Sequence, residues 1–205
     1  MIVCKCCVYI LKQKESEKML KFPCQLPKLM LKLNKVTFGN KLRLIGWPFI
    51  FKFSNAKISI GNSVTINSNF WSNLLGLYQR TIIVAKKKGE ITIGDKVGIS
   101  GATIYAWDKI EIGDKTLIGA NVKIVDNDFH PVDAEARFNN NNSATKTAPV
   151  KIGKNCFIGM NSIILKGTEI GDNCTVGAGS VVHGKFEANC VIAGNPAKII
   201  KHLEK

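Results

Sequence analysis

The sequence predicts an all-β solenoid, a parallel β-helix built from triangular coils of 18 residues. The main evidence is an aliphatic residue that recurs every six positions through residues 93–182, often directly before glycine. A period of six fits neither an α-helix nor a simple hairpin, but it suits short strands joined by turns. The stretches IGKN at 152–155 and IGDN at 170–173 start 18 residues apart, which indicates that three hexads complete one coil.

The hexads keep their register apart from a few slips. A weaker coil begins at Ile60 and Ile66, and the stretch 70–90 interrupts it with an irregular excursion. Cys156 and Cys174 follow their aliphatic residues by four and lie 18 apart, so we expect them to stack in the core of neighbouring coils as small fillers. The predicted inward residues of the regular coils are Ile93, Ile99, Tyr105, Ile112, Ile118, Ile124, Ile152, Ile158, Ile164, Ile170, Val176 and Val182.

The pattern divides the chain into three parts. Residues 1–55 form an N-terminal helical or irregular segment, in which PCQLPKLMLKLNK at 23–35 predicts a short amphipathic helix after a proline. Residues 56–197 form the β-helix domain, with an inserted loop at 125–149. Residues 198–205 form a basic tail that we expect to be a C-terminal helix.

Charge and cysteine content narrow the partners and the compartment. The chain has 29 Lys and Arg against 15 Asp and Glu, a net charge of +14, which favours anionic partners. Few aromatic residues stand among the lysines, so we expect no nucleic acid. An odd count of seven cysteines without a signal peptide indicates a reducing cytoplasm. Cys4, Cys6 and Cys7 lack a nearby histidine or a second closely spaced pair, so no metal site is predicted.

The insertion is the first place to look for function. A solenoid that accepts about 20 extra residues at one corner usually does so on its working face. The insertion opens with IVDNDFHPVD at 124–133, which carries His130, one of three histidines in the chain. An imidazole can accept a proton from a hydroxyl near neutral pH, so His130 is a candidate general base.

Three stretches carry a family resemblance. They are DFHPVD at 128–133, APVKIGKNCFIGMNSIILKGTEIGDNCTVGAGSVV at 148–182, and VIAGNPAKII at 191–200. Together they resemble the hexapeptide-repeat acetyltransferases, especially the maltose/galactoside and polysaccharide-cluster sugar O-acetyltransferases. The resemblance implies a left-handed β-helix and a homotrimer with acetyl-CoA sites between neighbouring subunits. It also implies acetyl-CoA as co-substrate and no metal.

The resemblance assigns roles around the reaction. His130 would be the general base that takes the proton of a sugar hydroxyl as it attacks the thioester, and no catalytic cysteine is needed. The backbone amide around Gly159 and Met160 would stabilise the oxyanion. The sequence leaves open which carboxylate orients the imidazole. The candidates are Asp126, Asp128, Asp133 and Glu135.

Cofactor and acceptor contacts follow in the same way. Phe157 stands where the family often has Trp, and Lys198 and Lys201 are placed to meet the phosphates of coenzyme A. His183 departs from the Thr/Ser-Lys-Asp common at that point of the family, and we expect it to contact cofactor or solvent. The residues expected along the pantetheine arm are Gly177, Ala178 and Gly179, and those expected at the acceptor are Ser100 and Asn127.

The resulting expectation is a sugar O-acetyltransferase of capsule, O-antigen or exopolysaccharide synthesis. Its acceptor would be a free, nucleotide-linked or lipid-linked saccharide. The protein would be cytoplasmic, with its basic N-terminus in peripheral contact with the inner face of the membrane. An amino-sugar N-acetyltransferase and a non-catalytic β-helix scaffold or binding protein are the alternatives. A metal-holding relative is disfavoured, because His130, His183 and His202 are scattered.

Overall fold

The computed structural model describes residues 25–204. The predictions for Cys4, Cys6 and Cys7 lie outside these described residues. Within them the chain is a left-handed parallel β-helix of seven stacked coils, as the hexad period predicts. One helix, α1 (Gln25–Leu33), precedes the coils.

Each of the first six coils contributes three short strands, and the last coil contributes two parallel strands, followed by an antiparallel strand. The strands of coils 1 to 3 are β1 (Thr37–Phe38), β2 (Arg43–Gly46), β3 (Phe49–Lys52), β4 (Lys57–Ile60), β5 (Thr65–Ser68), β6 (Ile82–Ala85), β7 (Glu90–Ile93), β8 (Gly98–Ser100) and β9 (Thr103–Ala106). Those of coils 4 and 5 are β10 (Lys109–Ile112), β11 (Leu117–Ile118), β12 (Lys123–Val125), β13 (Val150–Ile152), β14 (Phe157–Ile158) and β15 (Ile163–Ile164). Those of coils 6 and 7 are β16 (Glu169–Ile170), β17 (Thr175–Val176), β18 (Val181–Val182), β19 (Lys185–Phe186), β20 (Cys190–Gly194) and β21 (Ala197–His202).

The strands stack into three sheets, one for each side of the triangle. Sheet A runs from β1 through β4, β7, β10, β13 and β16 to β19, and sheet B runs from β2 through β5, β8, β11, β14, β17 and β20 to β21. Sheet C runs from β3 through β6, β9, β12 and β15 to β18. We name the turns between them the A–B, B–C and C–A corners. Each sheet sends a column of paired aliphatic residues inward, for example Ile118, Ile158 and Val176 in sheet B.

One predicted inward residue is wrong. Ile104, not Tyr105, points into the core: Ile104 is fully buried and pairs with Ile83 and Ile124 on the neighbouring coils. Tyr105 lies on the outer side of sheet C, half-buried against Phe129. The slip arises because the tight B–C turn of this coil shortens the hexad by one residue.

The β-helix begins earlier than the sequence suggests. The first coil starts at Thr37, inside the stretch 1–55 that was expected to be helical or irregular. Its inward residues Phe38, Leu44 and Ile50 are six apart and pair with Ile60, Ile66 and Ile83, so the hexad period extends further toward the N-terminus than predicted. The predicted amphipathic helix is present as α1, whose Leu31 is buried in the common core. Since a solenoid end would otherwise expose its core, α1 acts as a cap on the first coil.

The expected C-terminal helix is wrong. The tail forms β21, which turns back after Asn195-Pro196 and pairs antiparallel with β20 at the edge of sheet B. The hairpin provides hydrogen-bond partners for the last edge strand, which a short exposed helix would leave open. Ala197 and Ile199 pack against the core from this strand.

Three cysteines fill the core of the last coils. Cys156, Cys174 and Cys190 are free and buried, and the Sγ atoms of Cys174 and Cys190 lie 3.5 Å apart. Burial raises the pKa of the Cys156 thiol to about 11, so it stays neutral. The prediction that Cys156 and Cys174 are core fillers is therefore confirmed.

The outer surfaces of the sheets differ in chemistry. Sheet A is charged and carries Lys109–Glu111 and Lys185–Glu169 ion pairs. Sheet B carries the groove described below. The outward side chains of sheet C are largely apolar and include Phe49, Phe51, Ile82, Tyr105, Val125, Ile163 and Val181.

The A–B corner repeats one backbone conformation in every coil. A non-glycine residue with φ between 54° and 62° stands there each time. Such left-handed residues are uncommon except at Asn, Asp and Gly. The residues are Lys41, Ser63, Lys96, Lys115, Asn155, Asn173 and Asn189.

Two insertions leave the coils. Residues 69–80, at the B–C corner of coil 2, contain a 3-10 helix (Phe70–Ser72). Residues 126–149, at the C–A corner of coil 4, contain the helix α2 (Ala134–Phe138) and a 3-10 helix (Asn142–Ala144). Among residues 25–204, no helix combines the length and the apolar character needed to cross a bilayer.

Candidate active site

A groove of about 470 Å³ runs along sheet B and crosses coils 2 to 6. It brings together residues that are far apart in sequence, because each coil contributes the end of one strand. Five of the predicted site residues, Phe157, Gly159, Met160, Gly177 and Ala178, line it, and Ser100 does as well. The full lining is Asn67, Asn73, Leu75, Gly98, Ile99, Ser100, Leu117, Ile118, Gly119, Ala120, Phe157, Gly159, Met160, Thr175, Val176, Gly177 and Ala178.

Glycine at the B–C corner lets the coils approach closely beneath the groove. A Cβ at Gly159 would lie 2.5 Å from the Ala178 nitrogen, and a Cβ at Gly119 would lie 2.6 Å from the Ile158 oxygen. No real Cβ tolerates such distances, so only glycine fits here. The backbone of the B–C corner is therefore exposed in the groove beside the side chains that line it.

The residue after each of these glycines leaves its backbone N–H unused. The glycine N–H groups donate to the next coil, as Gly159 does to Val176 at 2.8 Å. The N–H groups of Ala120, Met160 and Ala178 donate to no residue in the described part of the chain. Ala120 is fully buried, so a bound acyl-thioester or amide oxygen could accept only from Met160 and Ala178, which stand on neighbouring coils at roughly the 4.8 Å spacing of parallel strands.

The backbone N–H groups of Gly159 and Met160, both predicted around the oxyanion, differ in their hydrogen bonds. The Gly159 N–H is consumed by the coil-to-coil ladder, whereas the Met160 N–H is free among the described residues. Met160 is therefore the better donor of the two. Phe157, 47% exposed, and Leu117 pair on neighbouring strands and form an apolar wall beside it.

A polar cluster closes the opposite end of the groove. The Asn67 amide donates to the Ser100 hydroxyl at 3.1 Å across coils 2 and 3. Asn73 and Leu75 reach the same end from the insertion 69–80. The sequence placed Ser100 near the acceptor, but it gave no role to Asn67, Asn73 or Leu75, since none of them stands in a family motif.

The insertion 69–80 is held firmly against the coils. Leu77 is 3% exposed, and the Asn121 amide donates to the Gly76 carbonyl at 3.0 Å. The Lys123 ammonium donates to the Gln79 side chain at 2.7 Å, and burial lowers the pKa of Lys123. These contacts fix the wall that Asn73 and Leu75 provide.

His130 lies elsewhere, on the insertion at the C–A corner. Its side chain is exposed, and its backbone N–H donates to the Asp128 carbonyl at 2.6 Å in a tight turn. Phe129, with φ of 61°, directs its ring against Tyr105 and Trp107 and so anchors the turn. His130 does not line the groove of its own chain, because the two features stand at different corners.

The four candidate carboxylates have distinct environments. Asp126 is 0% exposed and accepts from the backbone N–H groups of Trp107 and Asp108, so it supports the preceding coil. Burial raises the pKa of Asp126, while bonds from Asn127, Trp107 and Asp108 oppose the rise. Both oxygens of Asp126 are engaged in these contacts, and its role as the orienting group stays a prediction.

Asp128 is linked to His130 through the backbone, because its carbonyl accepts from the His130 N–H. Its Oδ1 accepts from the Lys166 ammonium at 2.7 Å, and its buried Oδ2 lacks a partner among residues 25–204. Asp133 caps α2 by accepting from the Ala136 N–H, and Glu135 stands exposed in the first turn of α2.

Asn127 helps to build the loop. It is 3% exposed, its amide donates to Asp126, and its oxygen accepts from the Phe129 N–H. Its acceptor role stays a prediction.

The remaining predicted cofactor residues lie around the groove rather than in it. Gly179 forms the turn after Ala178 with φ of 70°. His183 is exposed at the C–A corner, away from the groove lining. Lys198 and Lys201 are exposed on β21 and pair with Ala193 and Val191 of β20.

Lys198 continues the line of the groove. A Cβ at Gly177 would lie 3.0 Å from the Ala193 Cβ, and Lys198 is the partner of Ala193 on the next strand. A ligand running along the B–C corner past Gly177 therefore meets a lysine at the end of the stack. A phosphate group would be suited to this position.

Fold and groove define a parallel β-helix protein with a partly backbone-lined site for an extended ligand. Comparison with known proteins makes this more specific. Residues 149–183 match the family model described as the hexapeptide repeat of succinyl-transferase. WbbJ of Escherichia coli, provisionally named a lipopolysaccharide biosynthesis O-acetyl transferase, is 34% identical over 175 residues, covering 82% of this chain and 83% of WbbJ. The chain belongs to the hexapeptide-repeat acetyltransferase family.

Two further comparisons bear on this assignment. A protein of Dictyostelium discoideum, provisionally named an acetyltransferase, is 43% identical over 103 residues. That match spans 50% of this chain and only about half, 52%, of the relative. The crystal structure of a mutant of AntD, an N-acyltransferase from Bacillus cereus, in complex with dTDP-4-amino-4,6-dideoxyglucose and coenzyme A, superposes with a TM-score of 0.65. It covers 87% of this chain and 89% of AntD, and at 22% identity it shows the fold alone.

Proposed function

We propose that the protein transfers the acetyl group of acetyl-CoA to a saccharide hydroxyl, with His130 as general base. The observation that carries the proposal is the pair of unused N–H groups at Met160 and Ala178 in the groove. Two such donors on neighbouring coils suit the amide and thioester oxygens of an extended pantetheine chain. Lys198 and Lys201, at the end of the stack, would meet its phosphates.

The reaction needs no covalent enzyme intermediate. The sugar hydroxyl loses its proton to the His130 imidazole as its oxygen bonds to the thioester carbon. The Met160 N–H donates to the oxyanion that forms. When the tetrahedral intermediate collapses, the carbon–sulfur bond breaks and the imidazolium returns the proton to the departing thiolate. The products are the acetyl ester and free coenzyme A.

A second copy of the chain would complete the site. His130 and the groove stand at different corners, so they do not meet within one chain. The apolar outer surface of sheet C supports its burial against another subunit. In a cyclic trimer, each copy would bring its His130 to the groove of a neighbour.

The setting we propose is surface-polysaccharide synthesis. The name of WbbJ, which aligns over most of both chains, supports this setting. Helix α1 supports the predicted membrane contact, because Leu29 and Leu33 are exposed there beside Lys28 and Lys32. A lipid-linked acceptor would suit a protein in contact with a membrane. We place the protein on the cytoplasmic side of that membrane.

An amino sugar is the alternative acceptor, because the same base and groove could serve an amine. AntD, whose fold is similar, was crystallised with an amino-sugar nucleotide and coenzyme A. The product distinguishes the two reactions, since mild base cleaves an acetyl ester and leaves an amide intact. Mass spectrometry before and after base treatment therefore decides between them.

The test of the proposal is thiol release from acetyl-CoA with a panel of saccharides. We expect release to depend on acceptor, and His130→Ala to lower kcat by roughly 10²–10⁴-fold while coenzyme A binding is retained. His202→Ala is the matched control, because His202 is exposed on β21 and faces Glu187. Near-normal turnover of the His130 variant would refute the assigned base. Binding of acetyl-CoA without acceptor-dependent release for any saccharide would favour the scaffold.

A further inference from the structure

A basic and aromatic cluster stands above His130 at the C–A corner. Its lysines, Lys86 and Lys87, lie in the turn between β6 and β7, and its tryptophan, Trp107, lies in the turn between β9 and β10. The insertion that carries His130 leaves the next coil at the same corner. Successive coils are about 4.8 Å apart. Trp107 stands one coil from the insertion that carries His130, and the two lysines stand two coils from it.

Ring contacts hold the cluster in place. The Lys87 ammonium lies 3.6 Å from the centroid of the Trp107 ring, and the Lys86 ammonium lies 5.9 Å from it. The Trp107 ring also contacts Phe129, with 6.3 Å between centroids. Phe129 is the neighbour of His130 in the chain. Contact with the tryptophan face orders both ammonium groups without neutralising their charge.

The lysines of the cluster stand outside the ion pairs of the described chain. Lys86, Lys87 and the adjoining Lys88 form no ion pair within residues 25–204. Two nearby acids are committed elsewhere: Asp126 to backbone N–H groups and Asp128 to Lys166. Asp108, in the Trp107 turn, also makes no ion pair with these lysines.

The height of the cluster matches that of the polar end of the groove. Lys86 follows β6, and Asn67 belongs to β5, so both stand on coil 2. The insertion 69–80, which supplies Asn73, belongs to this coil as well. In the proposed trimer, both features would flank the part of the acceptor that extends away from the reacting hydroxyl.

We propose that Lys86 and Lys87 bind an oxyanion of the acceptor, a phosphate or a carboxylate, at a sugar position beyond the acetylated one. The inference rests on the proposed function, which it deepens by naming an anionic saccharide as the substrate class. An ammonium offers three donors and no acceptor, so it recognises an oxyanion as a charge without fixing its geometry. Neutral sugars would lack this anchor.

Direct binding tests the proposal independently of turnover. The probes are glucose 1-phosphate, glucuronate and glucose, titrated into the full-length chain by ligand-observed NMR at constant ionic strength. We expect one or both anionic probes to bind about tenfold more tightly than glucose, as two partly exposed charge contacts allow. Comparison of glucose 1-phosphate with glucuronate shows whether the site prefers a phosphate or a carboxylate.

The variant pair is matched in charge and backbone. Lys86→Gln/Lys87→Gln should remove the preference for the anionic probe. The control is Lys96→Gln/Lys115→Gln, because these exposed lysines form no ion pair in the described chain, and both share with Lys87 a φ near 58°. Equal binding of all three probes, or equal losses in both double variants, would overturn the anion site.

The two proposals fail in different ways. His130→Ala should bind glucose 1-phosphate as the parent protein does, because His130 is not the anion's partner. Full transfer activity in His130→Ala would overturn the assigned base and leave the lysine effect on binding untouched. An unaltered anion preference in the double lysine variant would overturn the anion site alone.

Discussion

Asp126 and Trp107 stand on neighbouring coils, and the Asp126 carboxylate accepts a hydrogen bond from the Trp107 backbone N–H at 2.8 Å. The same carboxylate accepts from the Asp108 N–H at 2.8 Å. It thereby joins the start of the His130 insertion to the turn that carries Trp107. The insertion that carries His130 and the basic cluster thus share one buried support.

Asp126→Asn should destabilise the protein. The amide would turn a donor toward a backbone N–H, leaving a buried polar group unpaired, which costs about 1–3 kcal/mol. The free energy of unfolding in urea measures this cost. Asp133→Asn, which keeps an acceptor at the exposed cap of α2, should change it by less than about 0.5 kcal/mol. Equal losses in both variants would contradict the structural role of Asp126.

Asp128→Asn should lower kcat without altering the fold. A general base contributes roughly 10²–10⁴-fold to the rate. If the free Oδ2 of Asp128 orients the His130 imidazole, its loss should remove a part of that contribution and lower kcat roughly tenfold or more. The KM for acetyl-CoA and the melting temperature should stay close to those of the parent. Glu135→Gln is the control, since Glu135 is exposed on α2. A change confined to melting temperature would leave Asp128 a purely structural residue.

Ala178→Leu should block coenzyme A binding. The added side chain enters the groove beside the free N–H groups, and overpacking of about 1–3 kcal/mol corresponds to roughly 5- to 150-fold in Kd. Isothermal titration calorimetry with coenzyme A gives the value. Ala188→Leu introduces the same change at the exposed A–B corner and should bind normally. Normal binding by Ala178→Leu would place the cofactor outside the groove.

Ile104→Ala and Tyr105→Ala together test the register of coil 3. Removing the buried Ile104 side chain should cost about 2–5 kcal/mol. Removing Tyr105, which is half-buried against Phe129, should cost less, because mainly an aromatic contact worth roughly 0.5–1.5 kcal/mol is lost. Chemical denaturation of both variants compares them. A larger loss at Tyr105 would restore the register that the hexad count predicts.

The hexad period predicts the coils because one local rule repeats. Inward residues such as Ile118, Ile158 and Val176 follow from spacing alone. The period fails at Tyr105, where a tight turn shortens the hexad by one residue, and at β21, which folds back as a hairpin on β20 instead of continuing the coil. A fixed count of six follows neither event.

The candidate site is predictable where motifs and coil positions coincide. Gly177 and Ala178 occupy the predicted place beside the groove. The buried role of Asp126 and the groove contacts of Asn73 depend on chain segments that meet only after folding. The sequence also treats Gly159 and Met160 as equivalent, since only the stacked coils show which N–H is already used.

The repeated left-handed residue at the A–B corner leaves room for engineering. Four coils place Lys or Ser where the backbone favours Asn or Gly, at positions 41, 63, 96 and 115. Each replacement by glycine would relieve a conformational strain of about 1 kcal/mol, offset in part by the greater freedom of the unfolded chain. The A–B corner carries neither His130 nor the glycines of the groove. It could thus be redesigned, coil by coil, for resistance to heat while the groove stays unchanged.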